Sequence, residues 1–362
     1  MPIVEPTVAR TYDRLKERLA HLVPEPELRL KAELVFEINR LKRERRAVIL
    51  GHNYMEPALY HGVADMVGDS LELSRLAARS PAERIVFCGV RFMAETAKIL
   101  SPDKTVLLPD LEAGCSLADG ITAEDVRELR ARFPGLPVVA YINTSAEVKA
   151  ESDICCTSSN AARIVESLEA PAVIFLPDEF LAANTARETG RRIVFPVRDE
   201  TKARALPRPL EPAIVGWRGR CEVHEKFTVE DIERVRAQYP DVEVLAHPEC
   251  RPEVVAAADF SGSTSAMIAH VRKSSAPRFL LLTECSMGDN IVAEAPGKEM
   301  LRLCSVRCPH MNRITLEQTL ASLREDRYRI EVPEQVAARA RRALEGMLRG
   351  GPAVRRPAEQ AV

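Results

Sequence analysis

Three stretches of this chain repeat one another, feature by feature and in the same order, and this repetition constrains the possible folds more than anything else in the sequence. Each stretch opens with an apolar run ending in a polar cluster: ILGHNYMEP, VAYINTSAE and VLAHPECRP. The leading polar residues are His52, Tyr141 and His247. A hydroxyl-rich segment follows in each, VGDSLELS, CTSSNAAR and FSGSTSAM, with Ser70, Ser158 and Ser263 lying 18, 17 and 16 residues beyond the leading residue. Each stretch closes on a cysteine, in LEAGCSL, WRGRCEVH and SVRCPHM. These are Cys115, Cys221 and Cys308, at 63, 80 and 61 residues from the same reference points. One such match is within the reach of chance; three ordered features found three times mark an internal repeat.

The surrounding pattern states what is repeated. Short Val-, Ile- and Leu-rich runs at 47–51, 84–89, 105–109, 137–142, 172–177, 213–217, 242–247 and 278–284 read as strands. Amphipathic segments at 68–80, 91–100, 123–133, 160–168 and 229–239 read as helices between them. Such alternation predicts βα units with parallel sheets. The fold class is therefore α/β, with three pseudo-symmetric three-layer α/β domains around a central cavity. The expected divisions are an N-terminal helical segment at 1–45, repeats at 46–120, 121–225 and 226–312, C-terminal helices at 313–350, and a flexible Pro-rich tail at 351–362.

Composition removes several classes of function. Charged residues make up 29% of the chain but nearly cancel, leaving a formal net charge of -2. No basic excess exists to neutralise nucleic-acid phosphates. The first 22 residues carry charges throughout and no apolar core segment, and no apolar run approaches membrane-spanning length, so the expectation is a cytoplasmic protein without a membrane partner. Nine cysteines in such a setting are not expected to form structural disulfides, and no C-x2-C pair suggests a zinc ribbon. Cys88 and Cys155, inside apolar runs, read as buried hydrophobes. Ligands of parallel α/β units bind beyond the carboxyl ends of the strands. Cys115, Cys221 and Cys308 would thus converge there and cap a cubane cluster from three directions, leaving a fourth iron open to substrate.

The motifs GHNY, GDSLELS, GVRFMAETAKIL, YINTSAEVKA, CTSSNA, CEVHE, AHPEC, SGST and CPHM together resemble the quinolinate synthases, over about residues 40 to 325. The resemblance implies a three-domain α/β enzyme with a central 4Fe-4S cluster held by one cysteine per domain. It also implies a transferase-type condensation of iminoaspartate with dihydroxyacetone phosphate to quinolinate, with loss of phosphate and water, in NAD biosynthesis. An iminoaspartate-producing oxidase or dehydrogenase would supply one substrate. Cys304 and Cys308 both lie near the third ligand position, and the CPHM match favours Cys308. A disulfide between those two remains an open reading.

Candidate roles follow from residue chemistry. Ser70, Ser158, Ser263 and Thr264 lie where helices should begin, so their hydroxyls and nearby amides suit carboxylate or phosphate. Ordinary N-capping is the commoner use of such residues. His52, His224 and His247 can donate hydrogen bonds or move protons; the resemblance implies that His52 and His247 contact the substrate acids. Glu249, two residues past His247, reads as a general base. Tyr54 and Tyr141 read as acid/base or orienting phenols, and Asn143 as a neutral donor and acceptor. Three rivals remain: a cluster enzyme cleaving S-adenosylmethionine, a cluster-bearing redox sensor, and a zinc protein. The His, Tyr, Glu and Ser set suits small anions better than a nucleoside, no nucleic-acid output motif is visible, and the wide cysteine spacing suits a cluster better than zinc.

Overall fold

The computed structural model describes residues 7–196, 212–303 and 306–351. It holds three separate sheets, and every strand pairing within them is parallel. The first sheet contains β1 (Ala47–His52), β2 (Met66–Gly68), β3 (Arg84–Cys88) and β4 (Thr105–Leu107), in the order β2-β1-β3-β4. The second contains β5 (Val138–Tyr141), β6 (Ile154–Cys156), β7 (Ala172–Leu176), β8 (Arg192–Val194) and β9 (Ala213–Gly216), in the order β6-β5-β7-β9-β8. The third contains β10 (Glu243–Ala246), β11 (Phe260–Ser261), β12 (Arg278–Leu282) and β13 (Glu299–Arg302), in the order β11-β10-β12-β13. In each sheet the second strand in sequence flanks the first on one side, and the later strands extend the other side.

The middle strands are the apolar runs legible in the sequence, and helices bury them on both faces, as parallel sheets require. Strand β6 is the apolar run around Cys155, whereas β2, β8, β11 and β13 lie outside the apolar runs. They are two to four residues long, too short to carry a hydrophobic period. Strand β8 also explains why the middle repeat is longer: it is an extra edge strand beyond β9. A shared aspartate braces each opening strand. Asp65, Asp153 and Asp259 accept the backbone N–H of Ile49, Val138 and Val244 at 2.8, 2.7 and 2.8 Å. These bonds tie the strand that ends in His52, Tyr141 or the residue before His247 to the segment that leads into each hydroxyl-rich turn.

The N-terminal stretch forms two helices rather than one, α1 (Val8–Leu19) and α2 (Glu25–Glu44), because Pro24 stands at the N-cap of the second. Helix α2 packs on α15 (Leu316–Glu325). Helix α16 (Glu334–Arg349) lies on α8 (Ala146–Ala150) and β6. A Cβ at Gly346 would stand 3.2 Å from the Ile154 side chain, so glycine permits this close approach. The tail beyond residue 351 and the Arg- and Pro-rich stretch 197–211 lie outside the described residues.

Candidate active site

The carboxyl ends of the three sheets open on one cavity. The first sheet and its loops contribute His52, Tyr54, Ser70 and Cys115 to its wall; the second contributes Tyr141, Asn143, Ser158, Cys221 and His224; the third contributes His247, Glu249, Thr264 and Cys308. Ser263 is the singled-out residue that does not line it. It is the N-cap of α13 (Thr264–Lys273), where its Oγ accepts the Ala266 N–H at 3.3 Å and donates to Asp69 Oδ2 at 2.8 Å. Strand register gives the reason. His52 pairs with Gly68, Tyr141 with Cys156 and Ala246 with Ser261. The structural counterparts are therefore Ser70, Ser158 and Thr264, each preceded by a turn residue: Asp69, Thr157 or Ser263. Asp69 caps α4 (Ser70–Arg79) through the Leu71 and Glu72 N–H groups and leaves the Ser70 hydroxyl at the cavity.

His52 and His247 are built alike. Each Nδ1 accepts a backbone N–H two residues on, from Tyr54 at 3.2 Å and from Glu249 at 3.3 Å. In the neutral ring this leaves Nε2 carrying the proton, an assignment made from the hydrogen-bond pattern. Burial lowers the pKa of His52 to about 4 and that of His247 to about 3. Near neutral pH both are uncharged donors. The His247 ring stacks on His224 at a centroid distance of 4.5 Å.

Glu249 is the electrostatic centre. Its Oε1 accepts from Tyr141 Oη at 2.5 Å and Asn143 Nδ2 at 3.4 Å, and its Oε2 faces His224 Nδ1 at 2.8 Å. Burial opposes its ionisation, but the His224 ring, His247 and the Tyr141 phenol outweigh burial and hold its pKa well below the usual carboxylate range. Burial and the Glu249 charge push the Tyr54 and Tyr141 phenols well above their ordinary value, so both remain protonated. Asn143 Oδ1 is buried without a partner, which leaves an acceptor for a ligand. The other carboxylate after a first-sheet strand, Glu56, is paired with Lys31 instead.

The three cysteines follow the last shared strand of each sheet, β4, β9 and β13, and each opens one helical turn. The Cys115 carbonyl accepts the Asp119 N–H, that of Cys221 the Glu225 N–H, and that of Cys308 the Asn312 N–H, at 3.0, 3.0 and 3.1 Å. The thiols receive backbone N–H groups two and three residues on: Leu117 and Ala118, Val223 and His224, His310 and Met311. A threonine capping box starts the next helix seven residues past each cysteine, at Thr122, Thr228 and Thr315. Cys115, Cys221 and Cys308 are part-exposed, whereas Cys88, Cys155, Cys156, Cys250 and Cys285 are buried. Cys304 lies outside the described residues.

The family model described as quinolinate synthetase A protein matches residues 36–349. The chain belongs to the quinolinate synthase family. It is 52% identical over 348 residues to quinolinate synthase 2 of Mesorhizobium japonicum, covering 96% of this chain and 99% of that protein. The quinolinate synthase of Agrobacterium fabrum is 52% identical over 334 residues, covering 92% of this chain and 90% of its own length. That of Xylella fastidiosa is 53% identical over 316 residues, covering 87% and 86%. No helix among the described residues is long and apolar enough to cross a membrane.

In this quinolinate synthase family member, sequence reasoning overlooked Asp69, His310 and Thr283. Asp69 and His310 line the cavity, and His310 pairs with Glu222 at 2.9 Å. The C-x6-T spacing was a usable signal: it holds for Cys115, Cys221 and Cys308, whereas residue 311, seven past Cys304, is Met. The donor atoms of Cys221, His224 and Glu249 lie within 4.8 Å of one another, a group able to hold a metal ion. His224 Nδ1 already faces both Glu249 Oε2 and Cys221 Sγ, the latter at 3.1 Å, so the same atoms also read as one hydrogen-bonded network.

Proposed function

We propose that this chain is a quinolinate synthase of the cytoplasm, condensing iminoaspartate with dihydroxyacetone phosphate and releasing quinolinate, phosphate and water for NAD biosynthesis. The observation that carries this is the meeting of three cysteine turns with a neutral, donor-rich cavity, in a chain half identical to quinolinate synthases along nearly its whole length. An iminoaspartate-producing oxidase or dehydrogenase supplies the first substrate.

A 4Fe-4S cluster fits the donor set. Three thiols reach the cavity from three sheets, and each sulfur is met by two backbone N–H groups that favour negative charge. Burial, with nearby carboxylates adding to it, pushes the Cys308 thiol up to about 11 and raises the Cys115 and Cys221 thiols well above their ordinary value, so cationic metal is what would ionise them. Cys115, Cys221 and Cys308 would hold the cluster, which when bound supplies a Lewis-acidic iron with an open position.

The remaining work falls to the side chains. Nε2–H of His52 and of His247, with the hydroxyls of Ser70, Ser158 and Thr264, bind carboxylate and phosphate oxygens as neutral donors. Asn143 and the Tyr54 phenol orient the carbonyl and imine groups. Glu249 is the base. Its empty-site pKa is too low for efficient proton removal, but two anionic substrates in the same buried space add negative charge and raise it toward the working range. Tyr141 holds Oε1 of Glu249 and returns a proton at Oη.

The test is anaerobic incubation of the purified protein with enzymatically generated iminoaspartate and dihydroxyacetone phosphate. Quinolinate should form in proportion to protein and to iron. A fully iron-loaded protein that makes none, or that instead cleaves S-adenosylmethionine, would overturn the assignment.

A further inference from the structure

The cavity that takes the anionic substrates has no lysine or arginine in its wall among the described residues, while Asp69, Glu222 and Glu249 place three carboxylates there. Burial holds His52 and His247 uncharged. Neutral hydrogen-bond donors orient carboxylates and phosphate but leave their charge uncompensated in a buried space.

One buried ammonium stands behind this wall. Two lysines are buried among the described residues, Lys42 and Lys149, and they differ in their partners. Lys42 Nζ pairs with Asp65 Oδ1 at 3.0 Å, which accounts for its burial. Lys149 lies on α8, just past the turn that carries Tyr141 and Asn143, and is 0% exposed. Its Nζ donates to the Thr144 carbonyl and lies over the Phe92 ring, 5.4 Å from the centroid. Phe92, on α5 (Arg91–Leu100), lines the cavity. The neighbouring carboxylate, Glu95, is committed elsewhere. Its Oε2 accepts the Ala146 N–H at 3.0 Å, and its Oε1 accepts from Arg91 Nε at 3.1 Å. A buried charge without a paired carboxylate is costly, and burial lowers the Lys149 pKa accordingly. Methionine would fill a similar volume, so packing does not account for the ammonium.

We propose that Lys149 is the counter-charge for the anionic substrates: its buried ammonium, behind Phe92, sets the affinity of the cavity for carboxylate and phosphate. The proposal rests on the quinolinate synthase reading and deepens it by naming what selects for negative charge. Lys149 touches no substrate. It acts through space, across an apolar wall in which a charge is felt more strongly than in water. An anion in the cavity in turn favours the charged form of the lysine. Affinity should then follow the number of negative charges on the ligand.

The experiment uses the iron-loaded protein under anaerobic conditions, with wild type beside Lys149→Gln and Lys149→Met. Glutamine keeps an N–H donor for the Thr144 carbonyl and methionine keeps the bulk; both lose the charge. Equilibrium binding is measured for pyridine-2-carboxylate, a monoanion, and for quinolinate, a dianion. In Lys149→Gln the monoanion should bind about tenfold more weakly and the dianion about a hundredfold, one charge–charge interaction being lost per carboxylate. KM for dihydroxyacetone phosphate should rise by about tenfold or more, with kcat changed less than about threefold and iron content unchanged. Displacement of Tyr141 or Asn143 by a slack turn would instead lower kcat and weaken both probes alike. Four results overturn the proposal: wild-type affinity for the dianion in Lys149→Gln, equal losses for the two probes, a fall in kcat without a rise in KM, or iron loss matching the loss of binding. If Lys149→Gln does not accumulate, Lys149→Met decides on the same measurements, and collapse of both would make the lysine structural and overturn the proposal as well. A wild-type protein that forms no quinolinate removes the functional reading and this proposal together; a normal wild type beside a variant of normal affinity removes only the proposal.

Discussion

Tyr141 and Glu249 are 108 residues apart in sequence and belong to different sheets, yet the Tyr141 phenol donates to Glu249 Oε1 at 2.5 Å. Each stands at or just past the end of the opening strand of its sheet. Their contact is therefore a direct consequence of how the second and third sheets face each other across the cavity. Glu249→Gln keeps the shape and can still bond to Tyr141, but cannot take a proton. Turnover is expected to fall by a factor on the order of 10²–10⁴, with substrate binding and iron content preserved. Anaerobic quinolinate formation measured beside iron content on one sample checks this, and near-normal turnover would move the base elsewhere.

The cysteines divide into two groups by environment. Replacing Cys115, Cys221 or Cys308 with Ser is expected to abolish the brown chromophore and all activity. Replacing Cys88, Cys155, Cys156, Cys250 or Cys285 should leave the cluster in place, since these thiols are packed within the protein. Iron and acid-labile sulfide after anaerobic purification are the readout. Retention of the cluster in Cys308→Ser but not in Cys304→Ser would reassign the third ligand.

The hydroxyl positions should separate by function. Ser70→Ala and Ser158→Ala each remove a donor at the cavity, and a lost hydrogen bond to a charged group is worth roughly 1.5–3 kcal/mol, about tenfold to a hundredfold in kcat/KM. Ser263→Ala removes an N-cap and a bond to Asp69 instead. It is expected to cost roughly 1 kcal/mol of stability and lower Tm, with KM little changed. A KM effect at Ser263 as large as that at Ser70 would contradict the register argument.

Glu284 anchors the third cysteine turn. It is fully buried, accepts the Ser286 N–H at 2.7 Å and also receives the Cys308 N–H. Glu284→Gln offers a weaker acceptor and is expected to speed cluster loss to a chelator by about 10- to 100-fold, the range found when support for a metal ligand is removed. The rate of bleaching under an iron chelator measures it; an unchanged rate would leave Glu284 with a folding role.

Acid should destabilise the protein through its buried rings. Folded His52 protonates only near about 4, and His247 only near about 3, because burial disfavours the charged form. Unfolded imidazoles take up protons near 6.5, so below about 6.5 the unfolded chain binds more protons than the native one. The stability these rings contribute is fully present above that pH and is lost as pH falls toward the folded values. For His52 the loss by pH 4 is on the order of 3 kcal/mol. Tm measured from pH 7 to pH 4 should decline less steeply in His52→Asn than in wild type, and parallel curves would exclude the effect.

The sequence by itself determined the three sheets, the parallel α/β class and most of the cavity-lining residues. It could do so because buried parallel strands are long apolar runs and because ligand residues recur at their carboxyl ends, as His52, Tyr141 and His247 do. It also carries a C-x6-T spacing shared by Cys115, Cys221 and Cys308 and absent at Cys304. Only the tertiary structure decided the rest. The short strands β2, β8, β11 and β13 exist by pairing with their neighbours, and two to four residues hold no period of their own. The register of those strands made Thr264, not Ser263, the counterpart of Ser70 and Ser158. Thr283 lies inside the strand run 278–284, which marks it out in no way. Its contacts arise because three sheets converge and set Tyr54, 229 positions away, and His224 against one hydroxyl, and such contacts leave no mark on local spacing.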